Sequence, residues 1–307
     1  MKGYPLIYSR TKNVDFVPDF LARPKDFDCQ TALKYVKNAM ENLDFVKGIR
    51  YTAFSVGNYC VCGGIACIST RLVDKLKVSS LGFSSQYPDV TEYLRDCKGR
   101  NLACFIGIAI PKSEAKKEMI PDIPLEQYWE IYLDYLKHQW LEDNAHSEQL
   151  DMPPLDIAEK RYFAGTFTPQ IEKYGTRSIV KDYSIYEQKT LDYFFHSILA
   201  GSDDSLITEI YNRAEWEKLN FKTAAVSDTL YKAIKANPVI KSDSLNGRGL
   251  KKGKQHEVGI KTNPELETNN TGTGEKKTTK IPAKGGVMLA VAAVVILVIL
   301  LLIFKKI

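Results

Sequence analysis

Histidine is scarce in this chain of 307 residues. There are four, with His138, His146 and His196 in the part expected to fold and His256 in a polar stretch beyond it. A structural zinc site needs four ligands, usually in paired short spacings, and no second Cys/His pair accompanies the one tight cysteine cluster. No metal or cofactor is therefore expected. The six cysteines (Cys29, Cys60, Cys62, Cys67, Cys97 and Cys104) do not have the spacing of a disulfide scaffold, and a cytosolic location would keep them reduced. The glycines form neither G-x-G-x-x-G nor G-x-x-x-x-G-K-[ST], which leaves no phosphate-binding fingerprint. Internal repeats are absent. The opening residues MKGYPLIYSRTKN lack the apolar core of a secretory signal.

Long apolar runs are also missing from the first 286 residues, which makes the one that follows conspicuous. Residues 287–304, VMLAVAAVVILVILLLIF, bounded by Val287 and Phe304, are eighteen consecutive apolar residues without a charge. As a helix rising about 1.5 Å per residue they cover about 27 Å, close to the hydrocarbon thickness of a bilayer. This run is expected to be a single C-terminal transmembrane helix. Lys276, Lys277, Lys280 and Lys284 precede it, whereas Lys305 and Lys306 follow. That bias, with so little chain beyond the span, predicts a head in the cytoplasm and a short translocated end. Gly286 and Ala290 form a small-xxx-small pair through which two spans could approach closely, giving a homo-oligomer.

The formal net charge of +5 resolves along the same lines. Residues 241–286 hold ten Lys/Arg against five Asp/Glu, and two lysines follow the span. This leaves 30 basic against 32 acidic residues through Ile240, a net of −2. A near-neutral, slightly acidic head does not supply the concentrated basic face that nucleic-acid binding needs. The basic residues lie next to the bilayer, where they can meet anionic lipid. Residues 241–286 are also poor in large apolar side chains and cannot bury enough surface to offset their ordering entropy. They read as a disordered basic tether with a reach of about 35 to 40 Å.

The head reads as α+β: a mixed sheet with flanking helices. Strands are expected at 5–10, in the runs IRYTAFSV and YCVCGGIACIS around a Gly57-Asn58 turn, and in NLACFIGIAI up to Pro111. Helices are expected at 31–43 and, shorter, at 89–96. Pro111, Pro121 and Pro124 then suggest a division into an α+β lobe (1–118) and a more helical lobe or subdomain (119–240). In the latter, helices are expected at 126–143, through Trp129, Leu133, Leu136 and Trp140, and at 186–199 and 228–235. Strands are expected at 205–211 and 221–226.

Three groups of residues attract a chemical reading. Cys60, Cys62 and Cys67 lie close together on one strand, with Cys60 and Cys62 on the same face. They could provide a nucleophile or half of a zinc site, and they equally suit a tightly packed core, which is where free cysteines usually reside. Asp96 and Arg100 flank a charged turn before the most apolar strand and are candidate binding residues. Asp134, His138, Glu142 and His146 follow one another at intervals of four on one helix face, and a solvated charged face explains them more simply.

Together these features predict a single-pass, tail-anchored membrane protein whose head binds a protein partner or signal and localises or clusters it. One form of this is a sensor-effector of the prokaryotic defence or toxin-like kind, by architecture alone. The competing expectation is a membrane-tethered cysteine-dependent hydrolase.

Overall fold

The computed structural model describes residues 1–10, 19–76, 94–136 and 152–237, all within one unit, Met1–Gly247. Eleven strands are found in the described residues: β1 (Lys2–Ser9), β2 (Arg50–Val56), β3 (Tyr59–Ile68), β4 (Ala103–Pro111), β5 (Met119–Pro121), β6 (Leu155–Asp156), β7 (Glu159–Arg161), β8 (Ile171–Tyr174), β9 (Arg177–Val180), β10 (Leu206–Ile210) and β11 (Thr223–Val226). The helices are α1 (Cys29–Met40), α2 (Ser69–Leu76), α3 (Leu125–Leu136), α4 (Glu187–Leu199), α5 (Arg213–Lys218) and α6 (Asp228–Ala236).

Nine strands form one sheet in the order β6-β1-β4-β3-β2-β10-β11-β9-β8, and β5 pairs with β7 separately. The sheet is mixed: β10, β11 and β9 are parallel neighbours, and the other pairings are antiparallel. This is the mixed sheet with flanking helices that the sequence suggests. Strands from both sides of residue 118 share it, joined where β10 pairs with β2 and where β6 pairs with β1.

The strands form where β-branched and aromatic residues accumulate, and they end at recognisable signals. Gly57, at φ +55°, makes the two-residue turn between β2 and β3. Three helices are opened by a side chain that accepts from a backbone amide otherwise left without a partner. Asp28 accepts from the Thr31 amide at 3.1 Å, Asn212 from Glu215 at 2.8 Å and Ser227 from Leu230 at 3.3 Å.

A core lies on each face of the sheet. On one face, Cys60, Cys62, Cys67, Cys104, Ile106 and Ile108 pack with Leu72 of α2, Tyr128, Trp129 and Tyr132 of α3, and Leu191, Phe194 and Ile198 of α4. On the other, Leu6, Phe54, Val61, Phe105 and Ile207 pack with Ala32, Val36 and Ala39 of α1, Trp216 of α5, and Leu230 and Ile234 of α6. A strand buried on both faces has no polar side to alternate with, and β3 accordingly reads YCVCGGIACI, buried at every position but the last.

The expected helix over 89–96 is not present in its described part. Leu94, Arg95 and Asp96 instead lead into a turn that folds back so that Arg95 bridges Asn101. The Asp96 side chain accepts from amides further along the chain, a bonding pattern that competes with helix. Among the described residues no helix is long and apolar enough to cross a membrane. The run 287–304, the tether and residues 137–143 of the expected 126–143 helix lie outside the described residues.

Candidate functional site

The chain leaves β9 toward α4 on the cysteine face, but leaves β10 and β11 toward α5 and α6 on the opposite face. Open α/β sheets usually bind ligands outside the carboxyl ends of their parallel strands. A cavity of about 630 Å³ lies at the carboxyl end of β10. Its floor is Ile49, Tyr51, Gly63 and Glu209 of the sheet region, and its walls come from the first turns of α3 (Leu125, Tyr128) and from α4 and the loop before it (Ser184, Ile185, Glu187, Gln188, Leu191, Phe195).

Several backbone irregularities give the crevice its shape. Gly63 lies at φ +64° where the register of β3 against β4 shifts. A β-carbon there would lie 1.6 Å from the Tyr128 hydroxyl, which donates to the Cys62 carbonyl at 3.0 Å. Only glycine allows both the bulge and this close approach. Glu209 is a second irregularity: it has φ +60° without being glycine, at a register shift between β10 and β11. A non-glycine residue keeps such a conformation only when its surroundings hold it there.

Arg50 holds it. This arginine is fully buried, and its Nη2 donates to the Glu209 carbonyl at 2.8 Å. Its Nη1 donates to the carbonyls of Ala39 (3.1 Å) and Glu41 (2.8 Å), closing the C-terminus of α1. The Glu215 carboxylate lies 2.9 Å from Nη2 and balances the charge. Burial pushes Glu215 above the ordinary carboxylate range, and the neighbouring Arg50 cation opposes that rise. The guanidinium thus ties α1, β2, β10 and α5 together beneath the crevice.

Tyr51, Tyr128, Glu187 and Glu209 are among the side chains lining the crevice, and two further tyrosines hold the carboxylates. The Tyr183 hydroxyl donates to Glu187 Oε1 at 2.9 Å, and the Tyr211 hydroxyl donates to Glu209 Oε2. Tyr51 is pushed up to about 12, by burial first and then by the carboxylates of Glu187 and Glu126. Tyr211 is also pushed up to about 12, by burial and by its bond to Glu209. These phenols stay neutral donors at physiological pH. Beyond Tyr211 a second cavity, of about 500 Å³, is lined by Asn42, Phe45, Glu215 and Lys218 among others. A third, of about 470 Å³, lies apart from these at Tyr4, Arg23, Tyr59 and Pro153.

No family model, no curated protein and no solved structure matches the chain. The functional reading therefore rests on the residues themselves.

The cysteine cluster lies inside the core. Cys60, Cys62, Cys67 and Cys104 have no exposed surface. The Cys60 and Cys62 sulfurs are 3.0 Å apart, and Cys67 and Cys104, paired across β3 and β4, are 3.7 Å apart. Burial pushes the Cys62 thiol well above its ordinary value, and contact with the Cys104 sulfur together with burial does the same for Cys67. A nucleophilic cysteine needs a lowered pKa and access to substrate, and the surroundings of these thiols act in the opposite sense. Among the described residues no group of three or more His, Cys, Asp or Glu could hold a metal ion.

Asp96 and Arg100 are brought together, but with each other. Asp96 accepts from the Lys98 amide (3.0 Å), the Arg100 amide (2.9 Å) and Arg100 Nε (2.6 Å), while Arg10 Nη1 lies 3.7 Å away. Burial raises Asp96, yet these hydrogen bonds and the Arg100 charge outweigh it and hold the carboxyl below its ordinary value. Gly99, at φ +74°, completes the turn. The arrangement closes a loop. Asp134 is exposed on α3, and His138, Glu142 and His146 lie outside the described residues. The His196 ring lies tilted against that of Tyr162, with centroids 4.7 Å apart. Gly286, Ala290, Val287, Phe304 and the membrane-proximal lysines are likewise outside the described residues.

Tyr51, Glu187, Glu209 and Tyr211 form no motif, which is why sequence patterns pass over them. One signal was available: Arg50 is a cation that opens an otherwise apolar strand run, and a buried charge at a strand end implies partners gathered from elsewhere.

Proposed function

We propose that this chain is a membrane-held binding module. The run 287–304 inserts in a bilayer, and the head captures a ligand or partner at the crevice beside β10, bringing it to the membrane. The observation that carries the reading is the uncharged apolar run, in a chain whose first 240 residues are of ordinary composition and near neutral. Fourteen of its residues are Val, Leu, Ile or Phe. At about −0.3 to −0.6 kcal/mol each near the centre of a span, they favour insertion by on the order of 5 kcal/mol. The lysines before the run favour a head on the cytoplasmic side, and Gly286 with Ala290 offers a face for pairing of spans.

Binding fits the head better than thiol chemistry. The crevice has donors, carboxylates and aromatic faces accessible to a ligand, whereas the cysteines lie in a dry core. The test is flotation with phosphatidylcholine vesicles. The full chain, reconstituted from detergent, should rise with the lipid, and a variant lacking 287–304 should stay with the soluble fraction. Co-flotation of the deletion variant would remove the proposed anchor.

A further inference from the structure

We infer that the crevice recognises an organic cation, an ammonium or guanidinium group carried on an apolar stem. This rests on reading the crevice as the ligand site. Among the described residues its lining includes two carboxylates, Glu187 and Glu209, and no lysine, arginine or histidine. Both carboxylates accept hydrogen bonds from neutral phenols, Tyr183 and Tyr211, and no lysine or arginine among the described residues forms an ion pair with either. Arg50, a buried cation that also acts on Glu209, is committed by ion pair to Glu215 and by hydrogen bonds to backbone carbonyls. Glu126 adds negative potential, since it acts on Tyr51 from the start of α3. Among its described lining residues the crevice therefore carries two carboxylates and no cationic side chain.

The walls decide what kind of cation fits. Tyr51, Tyr128 and Phe195 present aromatic surface, which attracts a cation through the ring quadrupole, while Leu191 accommodates an apolar stem. A hydrated metal ion would require a set of oxygen ligands in place of these rings, and no metal-holding group of three occurs among the described residues. An anion would meet two carboxylates. The volume, about 630 Å³, is within the usual range for a small-molecule site.

The full chain in neutral detergent can be titrated calorimetrically with cadaverine, agmatine and choline, with 1,5-pentanediol and glutarate as uncharged and anionic counterparts. At least one cationic probe should bind with one-to-one stoichiometry and lose affinity as salt is raised. Glu187→Gln and Glu209→Gln should each weaken it about tenfold, which corresponds to about 1.4 kcal/mol, with the thermal midpoint unchanged. Ser184→Trp, which fills the mouth, should abolish it. Failure of all three cations to bind at about 10 mM, weaker than any affinity the account allows, overturns the inference. So does binding of pentanediol or glutarate that both Gln variants retain and Ser184→Trp abolishes, although the crevice would then still be a ligand site. Cation binding untouched by Ser184→Trp places the ligand elsewhere and overturns the crevice reading itself.

Discussion

Arg50 and Glu215 show how one residue pair determines the local geometry. Desolvating two charges is costly, and the cost is recovered only with both partners and their hydrogen bonds in place. Glu215→Ala leaves the Arg50 guanidinium buried with carbonyls alone, and should destabilise the head by about 3 to 5 kcal/mol in denaturant unfolding. Replacing both with apolar residues, Arg50→Met with Glu215→Leu, should recover part of that loss, because no charge is then stranded. If Glu215→Ala is neutral, the pair is not buried as described. The cysteines give a second test at this scale. Cys97 is exposed, whereas Cys29 is partly buried and pushed up to about 12 by burial and by Asp19. Under native conditions a thiol reagent should modify Cys97 rapidly, Cys29 slowly, and Cys60, Cys62, Cys67 and Cys104 only on unfolding, as read by peptide mass mapping. Rapid modification of any of these four would reopen the enzyme reading.

At the scale of elements, legibility followed the strength of the local signal. The β2–β3 hairpin could be read because Gly57-Asn58 separates two β-rich runs, and β4 because its apolar stretch ends at Pro111. Helices α4 and α6 lie close to their expected ranges because apolar spacing and the stops at Gly201 and Asn237 agree. The β8–β9 hairpin was missed. Its strands have four residues each, β8 lies at the sheet edge, and its side chains alternate between exposed and half-buried, so no hydrophobic run marks it. Its turn at Gly175, φ +64°, is the only strong cue. The crevice was illegible for a similar reason: its residues come from β2, β3, β10, α3 and α4, and only the sheet order brings them together.

The edge hairpin is tied down by Glu172, which accepts from the Tyr231 hydroxyl of α6 at 2.8 Å and pairs with Lys181 at 2.9 Å. The bonds from Lys181 and Tyr231, with the Tyr174 hydroxyl close by, lower its carboxyl from 4.5 to about 2. A carboxylate lowered in the folded state contributes stability that is complete above its unfolded value and is lost as pH falls through its folded one. Glu172→Gln should therefore be less stable than the parent above about pH 4.5 and approach it as pH falls toward 2. Thermal midpoints of the two proteins across that range test this, and a gap that stays constant with pH would contradict it.

At the scale of the whole molecule, charge and apolarity are segregated along the chain. The head is near neutral, the basic residues collect at 241–286, and uncharged apolar residues fill 287–304. Composition made that division legible, whereas chemistry within the head required the fold. The proposal joins the two: a crevice with unbalanced carboxylates, carried to a bilayer by the apolar run. The most direct measurement is flotation of whichever of cadaverine, agmatine and choline binds tightest in the calorimetric titration, radiolabelled, with uncharged phosphatidylcholine vesicles, which give the cation no anionic lipid to bind. With the full chain reconstituted, label should rise with the lipid, and it should remain below when 287–304 are deleted or when Glu187→Gln and Glu209→Gln are combined. Label that fails to rise with the full chain, or rises equally with either variant, would contradict the account.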